Sequence, residues 1–276
     1  MRYFVQCWSS WVYYFESLSQ IETRVEIASE YRYKVPILHK NMLVITLSQF
    51  GETADTLAVV EEFKKKKIPV IGLCNVEGST LCREADATIL LHAGPEIAVA
   101  STKTFTSQIV ILYLLAIFMA KLKNMQSLDI PNMVIELETI PDKIGLILDE
   151  HRKIDILAQK YASFHDFYFL GRGVLYPLAL EGALKLKEIA YVNAVGYAAG
   201  EMKHGPIALL DEKVPTIVLC ANESLETKII SNLMESKARR APIIVAGFKN
   251  LEKDFFQSVQ MNTSFLTLMT IWLLYL

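Results

Sequence analysis

The 276-residue chain lacks any cysteine pair at metal-binding spacing: Cys7, Cys74, Cys82 and Cys220 are scattered, with no CxxC. Reduced thiols are therefore expected, and no metal site. Cys74 and Cys220 end apolar runs and are expected to pack in the core rather than react. Net charge is also scarce. Lys and Arg number 28 against 30 Asp and Glu, a balance of −2, which argues against bulk electrostatic binding of nucleic acid. The one dense basic run, Lys64-Lys65-Lys66-Lys67, closes an expected helix, where cations complement the dipole. No signal peptide stands out, because MRYFVQCWSSWVYYF is aromatic, with one positive charge and no clean cleavage site. The C-terminal apolar run FLTLMTIWLLYL (265–276) is too short to span a bilayer and reads as a core element. No membrane span is expected, and the chain is placed in the cytoplasm.

Apolar mass is plentiful. At 52% hydrophobic residues the chain can bury a large core, and its length suits two domains. Apolar runs alternate with helical patterns, the rhythm of βα units around parallel sheets. Residues 42–47, 68–75 and 87–93 read as strands, 52–67 as a helix, and about 100–122 as a long apolar helix. Residues 131–145, with Pro131 and Pro141, read as a connector between a domain over 1–130 and a second over 146–276. The second half repeats the rhythm: helix 154–164, strand 166–173, helix 176–192, strand 214–220, a helix, then strand 241–248.

Residues 181–206 carry the chemistry. At ~100° per residue Glu181, Lys185 and Glu188 point within ~60° of one another on one helical face, while Lys187 falls away. His204 follows in a loop, YAAGEMKHGP. Carboxylate, ammonium and imidazole together suit proton transfer on a polar substrate. The bland alternative for the helix is an exposed face laced by i,i+4 ion pairs. Ligands of open parallel sheets sit beyond the carboxyl ends of the strands, and two polar loops meet that condition. In the first, Ser48, Gln49, Thr53 and the helix N–H groups can cradle a phosphate, or else Ser48 or Thr53 merely caps the helix. In the second, residues 94–104, hydroxyls and Lys103 can bind sugar hydroxyls or cap the next helix.

The stretches ITLSQFGETADT, LCNVEGSTLCREAD, GPEIAVASTKTFTSQ and LGRGVLYPLALEGALKLKEIAYVNAVGYAAGEMKHGP closely resemble the isomerase half of glutamine–fructose-6-phosphate aminotransferase, or glucosamine-6-phosphate synthase. The resemblance covers most of residues 25–240. It implies an α/β fold of two sugar isomerase (SIS) domains, each three-layered αβα around a parallel sheet. It also implies a fructose 6-phosphate site without metal or organic cofactor. Ser48, Gln49 and Thr53 would hold phosphate, Val99 and Ser101 would lie near the sugar, and Glu181 would help bind it. Glu188 would move a proton between C1 and C2, Lys185 would stand beside it, and His204 would open the ring from across a homodimer interface. Ammonia would condense with the keto sugar to give glucosamine 6-phosphate, a step toward UDP-N-acetylglucosamine.

The chain departs from that family pattern in four places. It has no glutaminase domain, so activity with ammonia, or with a glutaminase partner, is the expectation. The first strand of the first SIS domain, with its Cys-Gly-Thr-Ser loop, is not found. Phe50 stands where the family has a phosphate-binding serine. The tail lysine that forms the imine is not matched by Lys249 or Lys253, so the tail reads as altered or truncated. A non-catalytic sugar-phosphate-binding SIS module, or a degenerate fragment, is the runner-up reading. A fructoselysine-type deglycase comes third.

Overall fold

Short runs rich in Val, Ile and Leu form the strands, because branched side chains pack well on a pleated surface covered by helices. The computed structural model describes residues 5–39, 41–149, 151–220 and 225–247. Lys249, Lys253 and the run 265–276 lie outside the described residues. The chain divides into two compact units, one built on Tyr14–Lys123 and one from Asn124 onward together with Gln6–Tyr13.

The first unit runs through α1 (Val5–Ser19, whose first half belongs to the other unit), α2 (Ala28–Tyr31), β1 (Val44–Ser48), α3 (Ala54–Lys65), β2 (Val70–Cys74), α4 (Thr80–Glu84), β3 (Ala87–Leu90) and α5 (Lys103–Leu122). The three strands are parallel in the order β1-β2-β3, with Val44 opposite Val70 and Ser48 opposite Cys74. On α3, Thr56, Val59, Val60 and Phe63 fall on one face at helical spacing and are buried. Their apolar members pack with Tyr31, Val70, Cys74 and Leu81. By length and composition α5 alone among the described helices could cross a membrane. Here it buries a stripe of Ile109, Leu112, Tyr113, Ala116, Ile117 and Ala120.

The second unit comprises α6 (Ile130–Glu138), α7 (Ile140–Asp149), α8 (His151–Tyr161), β4 (Asp166–Gly171), α9 (Leu175–Ala190), β5 (Asn193–Ala198), two 3-10 turns (Ala199–His204 and Pro206–Leu209), β6 (Thr216–Cys220), α10 (Glu226–Ala238) and β7 (Ile243–Gly247). Its sheet is parallel in the order β5-β4-β6-β7. Successive strand residues point to opposite faces, and the core follows that rule. Phe167 and Ile244 pack with Ala183 of α9 and Tyr161 of α8. Their neighbours Tyr168, Leu170, Ile243 and Val245 pack with Ile229 and Leu233 of α10. Helices thus cover both faces, a three-layer αβα arrangement.

Three stretches hold structure that the sequence reading did not assign. The stretch 131–145 is helical, forming all but the first residue of α6 and more than half of α7. Pro131 sits in the first turn of α6 behind an Asp129 cap, where a missing N–H costs nothing. The loop expected over residues 197–206 is mostly 3-10 turn, and leading into it lies strand β5, whose residues 193–196 the sequence reading gave no element. Its small residues hide it from a propensity reading, yet they suit its place. A Cβ on Gly196 would lie 2.7 Å from Leu180 Cα, so α9 rides directly on the β5 backbone. Finally, the aromatic N-terminal stretch, given no element from sequence, forms most of α1.

Candidate active site

In the first unit the chain leaves β1 at Ser48 and must reverse into α3. Gly51 permits this with φ +70, and any side chain there would collide with Ser79. The Gly51 N–H donates to Ser48 Oγ at 2.9 Å, and Ser48 Oγ lies 3.5 Å from Thr53 Oγ1. Thr53 occupies the position before α3, but it makes no side-chain cap bond. Ser48 spends its hydroxyl on Gly51, so the simple capping alternative does not describe this turn. The helix start keeps its backbone donors and positive dipole end for another acceptor. Gln49 is buried and its Oε1 has no hydrogen-bond partner. Phe50 is 62% exposed.

The loop after β3 behaves differently. Glu96 reaches forward and accepts from Thr104 Oγ1 at 2.7 Å and from the N–H groups of Thr102 and Thr104 at 3.3 Å. It therefore caps α5, a role the sequence reading did not give it. The only local signal is an acid shortly before a helix start. Burial pushes the Glu96 carboxyl up, but the bonds from Thr104 and Thr102 and the nearby Lys103 outweigh it and leave it below its ordinary 4.5. Its stabilisation is therefore present above pH 4.5 and lost as pH falls through the lower folded value. Glu96→Ala should cost about 1 kcal/mol in urea unfolding, with Glu96→Gln recovering part of it. An unchanged midpoint would show that the cap contributes nothing. Within this loop Ser101 Oγ is buried without a partner, while Val99 is 85% exposed.

In the second unit α9 gathers the predicted triad. Lys185 Nζ lies 2.8 Å from Glu188 Oε2 and 3.2 Å from Glu181 Oε1. All three side chains are largely withdrawn from water, which rules out the exposed ion-pair alternative. Burial works against the Lys185 charge, but the two carboxylates prevail and hold its pKa above the usual lysine value. Glu188 Oε1 is buried and has no hydrogen-bond partner. One oxygen of this carboxylate is thus tied to the lysine and the other is unengaged.

His204 ends the 3-10 turn after β5 and is exposed, with Nε2 3.8 Å from Glu201 Oε2. Its segment is held from behind by groups that sequence reading missed. Lys203 pairs with Glu235 at 2.9 Å, Asn232 bonds Glu235 at 3.5 Å, and Arg172 Nη1 donates to Asn232 Oδ1 at 3.2 Å. A Cβ on Gly200 would lie 3.3 Å from the same Arg172 nitrogen. Among the described residues no cluster of three or more His, Cys, Asp or Glu could hold a metal ion.

The SIS domain family matches residues 10–118 and 160–246. The chain is 45% identical over 254 residues to glutamine–fructose-6-phosphate aminotransferase (isomerizing) of Methanosarcina mazei, covering 89% of this chain and 41% of that protein. Against the protein of that name in Escherichia coli it is 45% identical over 251 residues, covering 91% and 41%. The chain thus spans about two fifths of the length of these relatives. Among solved structures, the C-terminal domain of glucosamine-fructose-6-phosphate aminotransferase from Francisella tularensis matches with a TM-score of 0.90 at 38% identity, covering 96% of this chain and 74% of that one.

Proposed function

This chain belongs to the SIS domain family, and from that premise we propose a ketose–aldose isomerase that converts fructose 6-phosphate, with ammonia, to glucosamine 6-phosphate. The observation that carries the reading is Glu188, a buried carboxylate with one oxygen held by Lys185 at 2.8 Å and the other without a partner. A buried carboxylate oxygen with a purely structural role ordinarily has a hydrogen-bond partner. A base that must accept a proton and return it needs one free.

On this reading ammonia adds to the C2 carbonyl and water leaves, giving an imine. Glu188 then takes the proton from C1 and returns it to C2, so that the aldose amine results. The Lys185 ammonium faces the charge that develops between these steps and limits its cost. Glu181 fixes Lys185 from its other side. Ser48, Gln49, Thr53 and the start of α3 take the phosphate, and Ser101, with Val99 near it, meets the sugar hydroxyls. Ser101 Oγ, buried and unpartnered, supports the second assignment. His204 opens the sugar ring, and its exposure suits a residue offered to a second copy of the chain in a homodimer. The protein would work in the cytoplasm, beside a glutaminase domain or partner that supplies ammonia.

Phe50 favours a second reading, a module that binds sugar phosphates without turning them over. An aromatic ring at that turn supplies no hydroxyl to an anion. Incubating the full chain with fructose 6-phosphate and ammonium, and following glucosamine 6-phosphate by mass spectrometry, separates the two. Product supports the isomerase. Calorimetric binding without product supports the module, and neither result leaves the site assignment untenable.

A further inference from the structure

Beneath the Ser48–Thr53 turn lies a pair of thiols that the proposed reaction does not use. Cys74 ends β2 and is buried; Cys82 lies on α4 and is half-buried. Ser79 Oγ bridges them, 3.4 Å from Cys74 Sγ and 3.2 Å from Cys82 Sγ. Both sulfurs also reach the same carbonyl oxygen, that of Val76, at 3.5 Å. The two sulfurs share these two neighbours, and Cys82 also acts directly on the Cys74 thiol, so they are near one another. Their approach to the ~2.05 Å of a disulfide would join them.

We propose that Cys74 and Cys82 form a reversible dithiol–disulfide site whose closure loosens the Ser48–Thr53 turn. The oxidant is a peroxide. The sulfur of Cys82, the more accessible of the two, attacks one peroxide oxygen, giving a sulfenic acid and releasing water. The sulfur of Cys74 then attacks that of Cys82, expelling a second water as the S–S bond forms. Two thiols and one hydrogen peroxide yield one disulfide and two waters, and a small thiol reductant reverses the change. Burial pushes the Cys74 thiol up, which disfavours it as the sulfur that meets peroxide first.

The link to the turn is steric. Closure displaces the Ser79 hydroxyl from between the sulfurs. Ser79 packs so tightly under Gly51 that no Cβ fits there, and Cys74 Sγ also contacts the Gln49 carbonyl at 3.7 Å. Moving Ser79 therefore disturbs the Gly51 N–H bond to Ser48 Oγ. Its bearing on a phosphosugar rests on the function proposed above, whereas neither readout below needs a ligand.

Trypsin cuts after Lys67 and Arg83, so the single peptide IPVIGLCNVEGSTLCR holds both cysteines. After hydrogen peroxide treatment of the full chain and thiol alkylation, that peptide should appear unalkylated and two hydrogens lighter. Reduction with dithiothreitol should restore the doubly alkylated form. The Gly51 amide should exchange about tenfold faster in the oxidised protein. Cys82→Ser should abolish both effects, and Cys82→Ala should repeat that result. Alkylation at both positions after peroxide, a Cys82 sulfinic acid in place of the crosslink, or a crosslink with unchanged Gly51 exchange would each overturn the proposal.

Discussion

Glu188→Gln should lower isomerisation by about 10²- to 10⁴-fold, the usual contribution of a positioned general base, while binding of fructose 6-phosphate stays nearly unchanged. The carboxamide has the shape of the carboxylate, and its oxygen can still accept from Lys185, which now stands 2.8 Å from Oε2. What it lacks is a lone pair able to take a proton and give it back. The loss should therefore fall on kcat, with KM moving little, because the interaction exists only as the proton moves. Steady-state kinetics with ammonium as nitrogen donor measures this split. A variant that keeps more than a tenth of wild-type turnover would assign the proton to another group.

Lys185→Ala is the second large effect, and it acts on stability. The ammonium lies between Glu181 and Glu188, whose side chains are both withdrawn from water. Removing it withdraws the counter-charge from a buried ion pair, at a cost of about 3–5 kcal/mol. The sign of the pH dependence follows. In the wild type the raised Lys185 pKa gives stability that is fully present below the ordinary 10.5 and is lost as pH rises through the higher folded value. The wild type should therefore hold this contribution across the neutral range. In the variant Glu188, deprived of its ammonium, gains by binding a proton, so stability should rise as pH falls from about 8 to 5. Urea unfolding at several pH values reads both trends. A cost below about 1 kcal/mol with no pH dependence would show that water fills the gap and the pair is not truly buried.

Which parts of this could be read beforehand depends on what each residue signals alone. The 181/185/188 spacing gave the shared helical face directly, because helical geometry fixes it whatever surrounds the helix. The strands rich in Val, Ile and Leu announced themselves for the same reason. Burial, which separates a surface ion pair from a desolvated one, depends on partners distant in the chain and had no local mark. Strand β5 was missed because Ala194, Gly196 and Ala198 are poor strand formers that serve a tight helix contact. Glu96 was missed because its partners Thr102 and Thr104 lie beyond an irregular loop, outside the usual capping interval. Proline misled at 131 because the same residue that breaks a helix interior is welcome in its first turn.

The glycine of β5 sets a dimension. Because α9 touches strand main chain at Gly196, its height above the sheet at that point is set by backbone packing. One added methyl would act as a shim, lifting the helix beside Glu181 and displacing Lys185 and Glu188 further along it. Tolerance to change here is governed by ångström clearances between helix and strand main chains.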